Sequence, residues 1–342
     1  MNPSPAVAIS LGALLASWWL TGRVRRYALE RRLLDIPNAR SSHVMATPRG
    51  GGVAIVLTTL AAFLILGFLR ILPWQVVTGL AGGGALIAVV GFVDDRGHVP
   101  RRWRLLAHVV AAGWTLTCLG GLPPLPVLAT VLDLRWGGLA LALISLVWLI
   151  NLTNFMDGID GIAATETITV TLGGVCLYQM ASPGNTQWVA PLVLAAATVG
   201  FLVWNWPPAK IFMGDAGSGF LGLMMGGLAV QAAWAMPTLL WSWVILVGVF
   251  AVDATLTLMR RGIRGERVYQ AHRSHAYQRA AHRWASHKQV TVAVGAINVI
   301  WLLPCALLVA LGILDGVIGV VVAYAPLIAG ALWLRAGVAD PV

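Results

Sequence analysis
Between positions 151 and 161 the chain reads Asn-Leu-Thr-Asn-Phe-Met-Asp-Gly-Ile-Asp-Gly, which places two amides, Asn151 and Asn154, and two carboxylates, Asp157 and Asp160, within ten positions. Spaced by three, Asn151 and Asn154 stack on one helical face leading toward Asp157. Oxygen donors of this kind are hard ligands suited to Mg2+. A zinc site would need Cys or His, and the stretch holds neither. Taken alone, each Asp-Gly pair reads equally well as a turn or helix cap. The two amides in register with the acids are what make the stretch a candidate cation site.

The remaining chemistry is carried by few residues. Asp94 and Asp95 end an apolar run, at the helix end where the macrodipole disfavours negative charge, which favours a functional pair over a solvated stop signal. Arg96, Arg101, Arg102 and Arg104 follow; they could hold a phosphate, although arginines in such a loop also simply fix topology. In Phe212-Met-Gly-Asp-Ala-Gly-Ser218, Asp215 is either an N-cap or an acid that lets a diphosphate approach backbone N–H groups, and Phe212 either packs or stacks a nucleobase. Asp253 is mid-helix, with a buried salt bridge as the main alternative to a functional role. His272 and His275 flank Arg273 and offer donors to an anionic oxygen, whereas a lone His pair is commonly a surface feature. Arg49, in Thr47-Pro-Arg-Gly-Gly-Gly52, precedes glycines that suit phosphate or close helix packing.

The elements that must position these residues are membrane helices. Of 342 residues 58% are hydrophobic and 11% charged, and the mean hydropathy is +0.81, far from the balance of a soluble domain. The net charge of +10 would suggest nucleic acid in a soluble protein; here the basic residues lie between apolar runs, so no nucleic-acid partner is expected. Cys118, Cys176 and Cys305 lie singly in apolar runs and suggest neither disulfides nor zinc. The expected fold is all-α and polytopic, with about 11 transmembrane helices at 6–22, 51–72, 76–93, 104–122, 136–153, 161–181, 187–206, 216–235, 238–259, 289–312 and 316–334. With the N-terminus outside and the C-terminus cytoplasmic, 21 of the 23 Lys and Arg fall inside, all but Arg70 and Arg135. Residues 1–342 read as a single transmembrane catalytic domain with cytoplasmic loops at about 22–50, 94–103, 154–160, 207–215 and 260–288. Asp94, Asp95, Asp157, Asp160, Asp215 and Asp253 then crowd one membrane face, with Glu166 slightly deeper.

The ordered set Thr47-Pro-Arg-Gly-Gly, Asp94-Asp95, Asn151-x-x-Asn-x-x-Asp-Gly-Ile-Asp-Gly161, Phe212-Met-Gly-Asp-Ala-Gly-Ser218, Asp253 and His272-Arg-Ser-His275 resembles the polyprenyl-phosphate N-acetylhexosamine-1-phosphate transferases, the superfamily of MraY and WecA. The resemblance runs from about residue 35 to 280. Arg49 and the His-Arg-Ser-His form look closer to the WecA and WbpL branch. The resemblance implies Mg2+, with Mn2+ a possible substitute, bound through Asn154 and Asp215. It implies catalytic roles for Asp94, Asp95 and Asp157, the first two at the lipid-phosphate side. It implies substrate contacts at Arg49, Asn151, Asp253 and His275, uracil contacts at Asp160 and Phe212, and pyrophosphate or sugar contacts at His272 and Arg273. Because Arg96-Gly-His-Val-Pro100 lacks the third acid or downstream lysine of many relatives, the lipid-phosphate contacts pass to Arg102 and Arg104.

The function implied is transfer of a GlcNAc-, FucNAc- or QuiNAc-type sugar 1-phosphate from a UDP-N-acetylhexosamine to undecaprenyl phosphate with release of UMP. It would start O-antigen, lipopolysaccharide or related surface glycan synthesis at the cytoplasmic face of a bacterial inner membrane. A homodimer is one possible assembly. A cation-coupled transporter is the alternative, although transporter sites lie near the midplane within inverted repeats and none is visible here.

Overall fold
The computed structural model describes residues 4–36, 45–97, 99–128, 130–266 and 272–338. Helices dominate. In order they are α1 (Ser4–Glu30), α2 (Gly52–Phe68), α3 (Trp74–Arg96), α4 (Arg101–Leu119), α5 (Arg135–Met156), α6 (Ile162–Ala181), α7 (Val189–Asn205), α8 (Asp215–Ala235), α9 (Thr238–Leu246), α10 (Gly248–Ile263), α11 (Ala276–Trp284), α12 (His287–Ile297), α13 (Leu303–Ala310) and α14 (Gly316–Trp333). Two short antiparallel pairs accompany them, β1 (Leu34–Asp35) with β2 (Thr47–Pro48) and β3 (Leu125–Val127) with β4 (Thr130–Leu132).

Local chemistry sets the helix ends. Pro73 and Pro100 stand immediately before α3 and α4, where a missing N–H leaves no gap in the ladder. The Asp315 carboxylate caps α14 by accepting from the N–H groups of Val317 and Ile318 at 2.8 and 3.2 Å. Gly120, at φ 82°, ends α4 in the left-handed conformation that glycine tolerates.

Seven of the described helices or helical stretches are long and apolar enough to cross a bilayer, and an eighth results if the bent pair α9 and α10 is counted as one span. Large apolar side chains such as Leu15, Trp19, Ile144 and Val321 point outward, as befits helices whose solvent is lipid. The chain is thus an all-α membrane protein. At its centre lies α8, with 94% of its apolar window buried, against α3, α5, α2 and α6. A methyl on Gly91 of α3 would stand 2.6 Å from the Asp215 carbonyl carbon. That glycine lets the end of α3 pass against the start of α8, which brings Asp94 and Asp95 to Asp215.

Several boundaries differ from the sequence expectation. The first helix runs past residue 22 to Glu30, because Arg23 to Glu30 continue in good helix formers. The stretch 238–259 is two helices bent by 68° at Val247. The stretch 289–312 passes through a π turn at Asn298–Leu302, and this carries Asn298 to the fully buried Glu166, whose Oε2 accepts from Asn298 Nδ2 at 2.7 Å. The 260–288 loop contains α11, a short amphipathic helix. His98, Arg40 and Arg267 lie outside the described residues.

Candidate active site
Asp94 and Asp95 sit at the end of α3 and have different partners. Asp95 accepts from the backbone N–H groups of Asp215 and Ala216 at 3.0 and 3.2 Å. It therefore caps α8 from a neighbouring helix, at an N-terminus whose own preceding residue is Gly214 with φ 82°. Asp94 accepts from Val99 N–H at 2.9 Å and is paired with Arg104. It also lies within hydrogen-bonding reach of Asp215.

Asp215 is the hub. Its Oδ1 lies 2.6 Å from Arg49 Nη2, which also reaches Asp95 Oδ1 at 2.9 Å, and its Oδ2 lies 3.7 Å from Arg104 Nη1. Burial disfavours the charge on Arg49, but Asp215 and Asp95 outweigh it, so the guanidinium holds its proton more firmly than usual. Asn154, at the end of α5, contacts Asp215 and donates through Nδ2 to Ser218 Oγ at 3.0 Å. One turn earlier, Asn151 Nδ2 donates to Val147 O at 2.7 Å and lies 3.2 Å from His108 Nδ1.

The 157–161 turn closes the far side. Asp160 Oδ2 accepts from Ala209 N–H at 3.1 Å and lies 3.4 Å from His287 Nδ1, while Asn205 Oδ1 accepts from Gly161 N–H at 3.0 Å. Burial pushes the Asp157 carboxyl well above the usual range; Arg49 opposes the shift, and Asp215, Asp95 and Asp160 add to it. Phe212 is placed by its backbone: its N–H donates to Pro48 O at 2.8 Å, and its carbonyl accepts from Gly50 and Gly51 at 3.1 and 2.9 Å.

Two cavities meet here, one of about 240 Å3 lined by Arg49, Asp157, Asp160 and Phe212, the other of about 20 Å3 lined by Asp94, Arg104, His108 and Asn151. Asn154 and Asp215 line both. Residues from α3, α4, α5, α8 and the segment before α2 therefore converge at one end of the bundle. Five carboxyl groups, Asp35, Asp94, Asp157, Asp160 and Asp215, line the two cavities against the guanidiniums of Arg49 and Arg104, an acidic excess that a divalent cation would offset. Among the described residues no three His, Cys, Asp or Glu side chains converge on one point. A cation could draw on Asp215 and Asn154 and leave its other positions to substrate oxygens, which is the usual habit of Mg2+.

Other candidate residues lie elsewhere. The Arg102 guanidinium is exposed, 5.8 Å from the Trp103 ring centroid, because two residues along a helix reverse the face and only Arg104 turns inward. Asp253 and His275 are buried against each other at 3.2 Å, and Asp253 further accepts from Ala276 N–H, Tyr277 N–H and Thr257 Oγ1 at 2.8, 2.9 and 3.1 Å. His272 stacks on His275 with ring centroids 4.8 Å apart. Arg273 lines a different cavity. Sequence reasoning missed His108, Ser218 and His287. His108 had a usable signal, since it lies four residues after Arg104 on the same face of α4.

The fold and site define a helical membrane protein with a buried, acid-rich and arginine-bearing pocket at one end of its bundle, an arrangement chemically suited to phosphorylated ligands. Residues 77–233 match the family described as glycosyl transferase family 4. The decaprenyl-phosphate N-acetylglucosaminephosphotransferase of Mycolicibacterium smegmatis is 28% identical, over 94% of this chain and 88% of that protein. A probable undecaprenyl-phosphate N-acetylglucosaminyl 1-phosphate transferase of Bacillus subtilis is 29% identical, over 84% and 81%. A phospho-N-acetylmuramoyl-pentapeptide-transferase of Kocuria rhizophila is 29% identical, over 66% and 72%. The family match and these relatives support the polyprenyl-phosphate N-acetylhexosamine-1-phosphate transferase superfamily as the one this chain resembles.

Proposed function
We propose that this protein transfers an N-acetylhexosamine 1-phosphate from a UDP-sugar to undecaprenyl phosphate and releases UMP, as the first step of a surface glycan such as O-antigen. The observation that carries the reading is the meeting of Asp94, Asn154 and Asp215, from three distant helices, beside Arg49 and Arg104. In the proposed orientation eleven spans place the N-terminus outside and this pocket at the cytoplasmic face of the inner membrane. There a lipid phosphate at headgroup depth meets a soluble nucleotide sugar. Clustering of the acids at one end of the bundle disfavours the transporter reading, which calls for a midplane site.

The reaction exchanges one phosphoanhydride for another: an oxygen of the lipid phosphate bonds to the β-phosphorus, the bond to the α-phosphate breaks, and UMP leaves with that electron pair. Such a transfer needs alignment and charge neutralisation more than covalent help. Arg104 and Arg49 are placed to receive the two phosphorylated substrates by exchanging carboxylate partners for phosphate oxygens. Asp94 would position the attacking oxygen, and Asp157 and Asp160 face the donor side. Asn154 and Asp215 would hold Mg2+, which supplies Lewis-acid stabilisation of the transferring phosphoryl group.

The test is UMP release from purified protein in undecaprenyl-phosphate micelles with a panel of UDP-N-acetyl sugars, with UDP-GlcNAc first because the similar proteins carry that sugar in their names. Release that requires the lipid, stops with a chelator and returns with Mg2+ is the expected outcome. No release with any donor would refute the reading.

A further inference from the structure
The small cavity beside Asp94 and Arg104 is also walled by His108, the imidazole that α4 presents one turn after Arg104 on the same face. At about 20 Å3 this cavity admits a single oxygen-sized group, a water or one oxygen of a larger anion. The partners of Asn151 fix where the His108 proton sits. Asn151 Nδ2 lies 2.7 Å from the Val147 carbonyl oxygen, which can only accept, so the amide nitrogen and not the amide oxygen must stand at that contact. The same nitrogen lies 3.2 Å from His108 Nδ1 and has its second hydrogen to give. Nδ1 must therefore accept. A ring protonated there, whether neutral or imidazolium, would set one N–H against another across this contact. The neutral ring carries its proton on Nε2, as a donor without a charge.

We propose that His108 is a further contact for the lipid phosphate: its Nε2–H donates to the one phosphate oxygen that enters the small cavity, while Arg104 binds a second. This rests on the reading that a lipid phosphate binds beside Arg104 and Asp94. With two oxygens held, the third is turned across Asn154 and Asp215 toward the larger cavity, where the nucleotide sugar would lie. Arg104 already supplies positive charge. A second cation would draw more electron density from the attacking oxygen, whereas a neutral N–H orients the phosphate and leaves that oxygen nucleophilic. Asn151 is then a positioning residue, since it selects the ring tautomer and touches the lipid phosphate only through His108.

The test uses two full-length variants that each keep one half of the ring's chemistry. His108→Asn puts an amide oxygen near the Nδ1 position, where Asn151 still finds an acceptor, and leaves nothing at Nε2; His108→Gln brings an amide N–H to the Nε2 position. In the UMP-release assay His108→Asn should raise KM for undecaprenyl phosphate about tenfold or more, the loss of one hydrogen bond to a charged group. Its KM for the nucleotide sugar and its thermal midpoint should match the parent's. His108→Gln should keep KM for the lipid close to the parent's; if it fails to fold, His108→Asn decides alone. A lipid KM that is unchanged in His108→Asn, raised equally in both variants, or raised together with that of the sugar overturns the proposal and leaves the ring a structural role. Thermal midpoints with added undecaprenyl phosphate or undecaprenol separate this outcome from failure of the reaction itself. A rise with the phosphate alone, weaker in His108→Asn, upholds the contact even where no donor releases UMP. UMP release with a lipid response unaltered in His108→Asn overturns the contact and leaves the reaction standing, and a parent that neither releases UMP nor responds to the lipid phosphate overturns both.

Discussion
Two buried acidic networks occupy neighbouring parts of this molecule and are built on opposite principles. Around Asp253 the acceptors are filled by the chain itself: two backbone N–H groups, one hydroxyl and one imidazole converge on one carboxylate. The Asp253 carboxylate thereby fastens the start of α11 to α10. Tyr277 extends the fastening by donating to Phe155 O at 3.0 Å, next to the Asp157 turn. Around Asp215 the balance is left open, with the carboxyl groups of Asp94, Asp157 and Asp215 facing the guanidiniums of Arg49 and Arg104 and cavities on both sides. A saturated acid holds structure, and an unsaturated cluster is ready for a ligand. The segment matching the glycosyl transferase family, residues 77–233, contains Asp94, Asp95, Asp157 and Asp215 but ends before Asp253.

The comparison breaks if both networks respond alike to losing an acid. For Asp215→Asn, turnover in the UMP-release assay should fall on the order of 10³-fold, the scale of removing a key electrostatic contact in a dry site. The thermal midpoint should hold or rise, since Arg49 and Arg104 keep Asp95 and Asp94 as partners. For Asp253→Ala the expected loss is in stability, about 3 kcal/mol or more, because the N–H groups of Ala276 and Tyr277 and the His275 ring lose their acceptor. Turnover per folded molecule should change far less than for Asp215→Asn. An Asp253→Ala protein that melts normally and is catalytically dead would place Asp253 in the reacting centre after all.

The same contrast explains how much was legible in the sequence. Apolar runs mark helices well because hydrophobicity accumulates over some twenty residues, and α2 to α8 fall near their expected limits. The break at Val247 was hidden, since it interrupts hydrogen bonding inside an unbroken apolar run and changes no composition. The convergence of Asp94, Asn154 and Asp215 followed from scarce acids assigned to one membrane face. Which oxygens were already filled did not follow, because saturation depends on backbone N–H groups that any sequence supplies. Asp253 and Asp95 therefore looked like equals of Asp215, although Asp95 caps α8 and Asp253 caps α11. Phe212 shows the same limit, since its placement rests on backbone bonds to Pro48, Gly50 and Gly51, far away in the chain.

Smaller changes sharpen the boundary between the two networks. Tyr277→Phe removes one hydroxyl that donates to Phe155 O and should cost about 1 kcal/mol of stability. Because that bond supports the turn carrying Asp157, KM for the nucleotide sugar should rise while kcat holds. A loss of stability with unchanged KM would show that the fastening stops at α11.

His272 is the finest probe, since it stacks on His275, the imidazole partner of Asp253. Burial lowers its pKa to about 4, helped by His275 and Arg261. The folded protein therefore keeps this ring neutral at pH values where the unfolded chain, with an ordinary pKa of about 6.5, takes up a proton. Between those values the unfolded state binds more protons, so stability must rise with pH across the window and fall as the pH drops from about 6.5 toward 4. His272→Gln should flatten that part of the stability profile, measured as the thermal midpoint at closely spaced pH values. If His272 belongs with the saturated network, KM for the nucleotide sugar at pH 8 stays put. A several-fold rise in KM with an unaltered pH profile would instead move it across the boundary, to the substrate side.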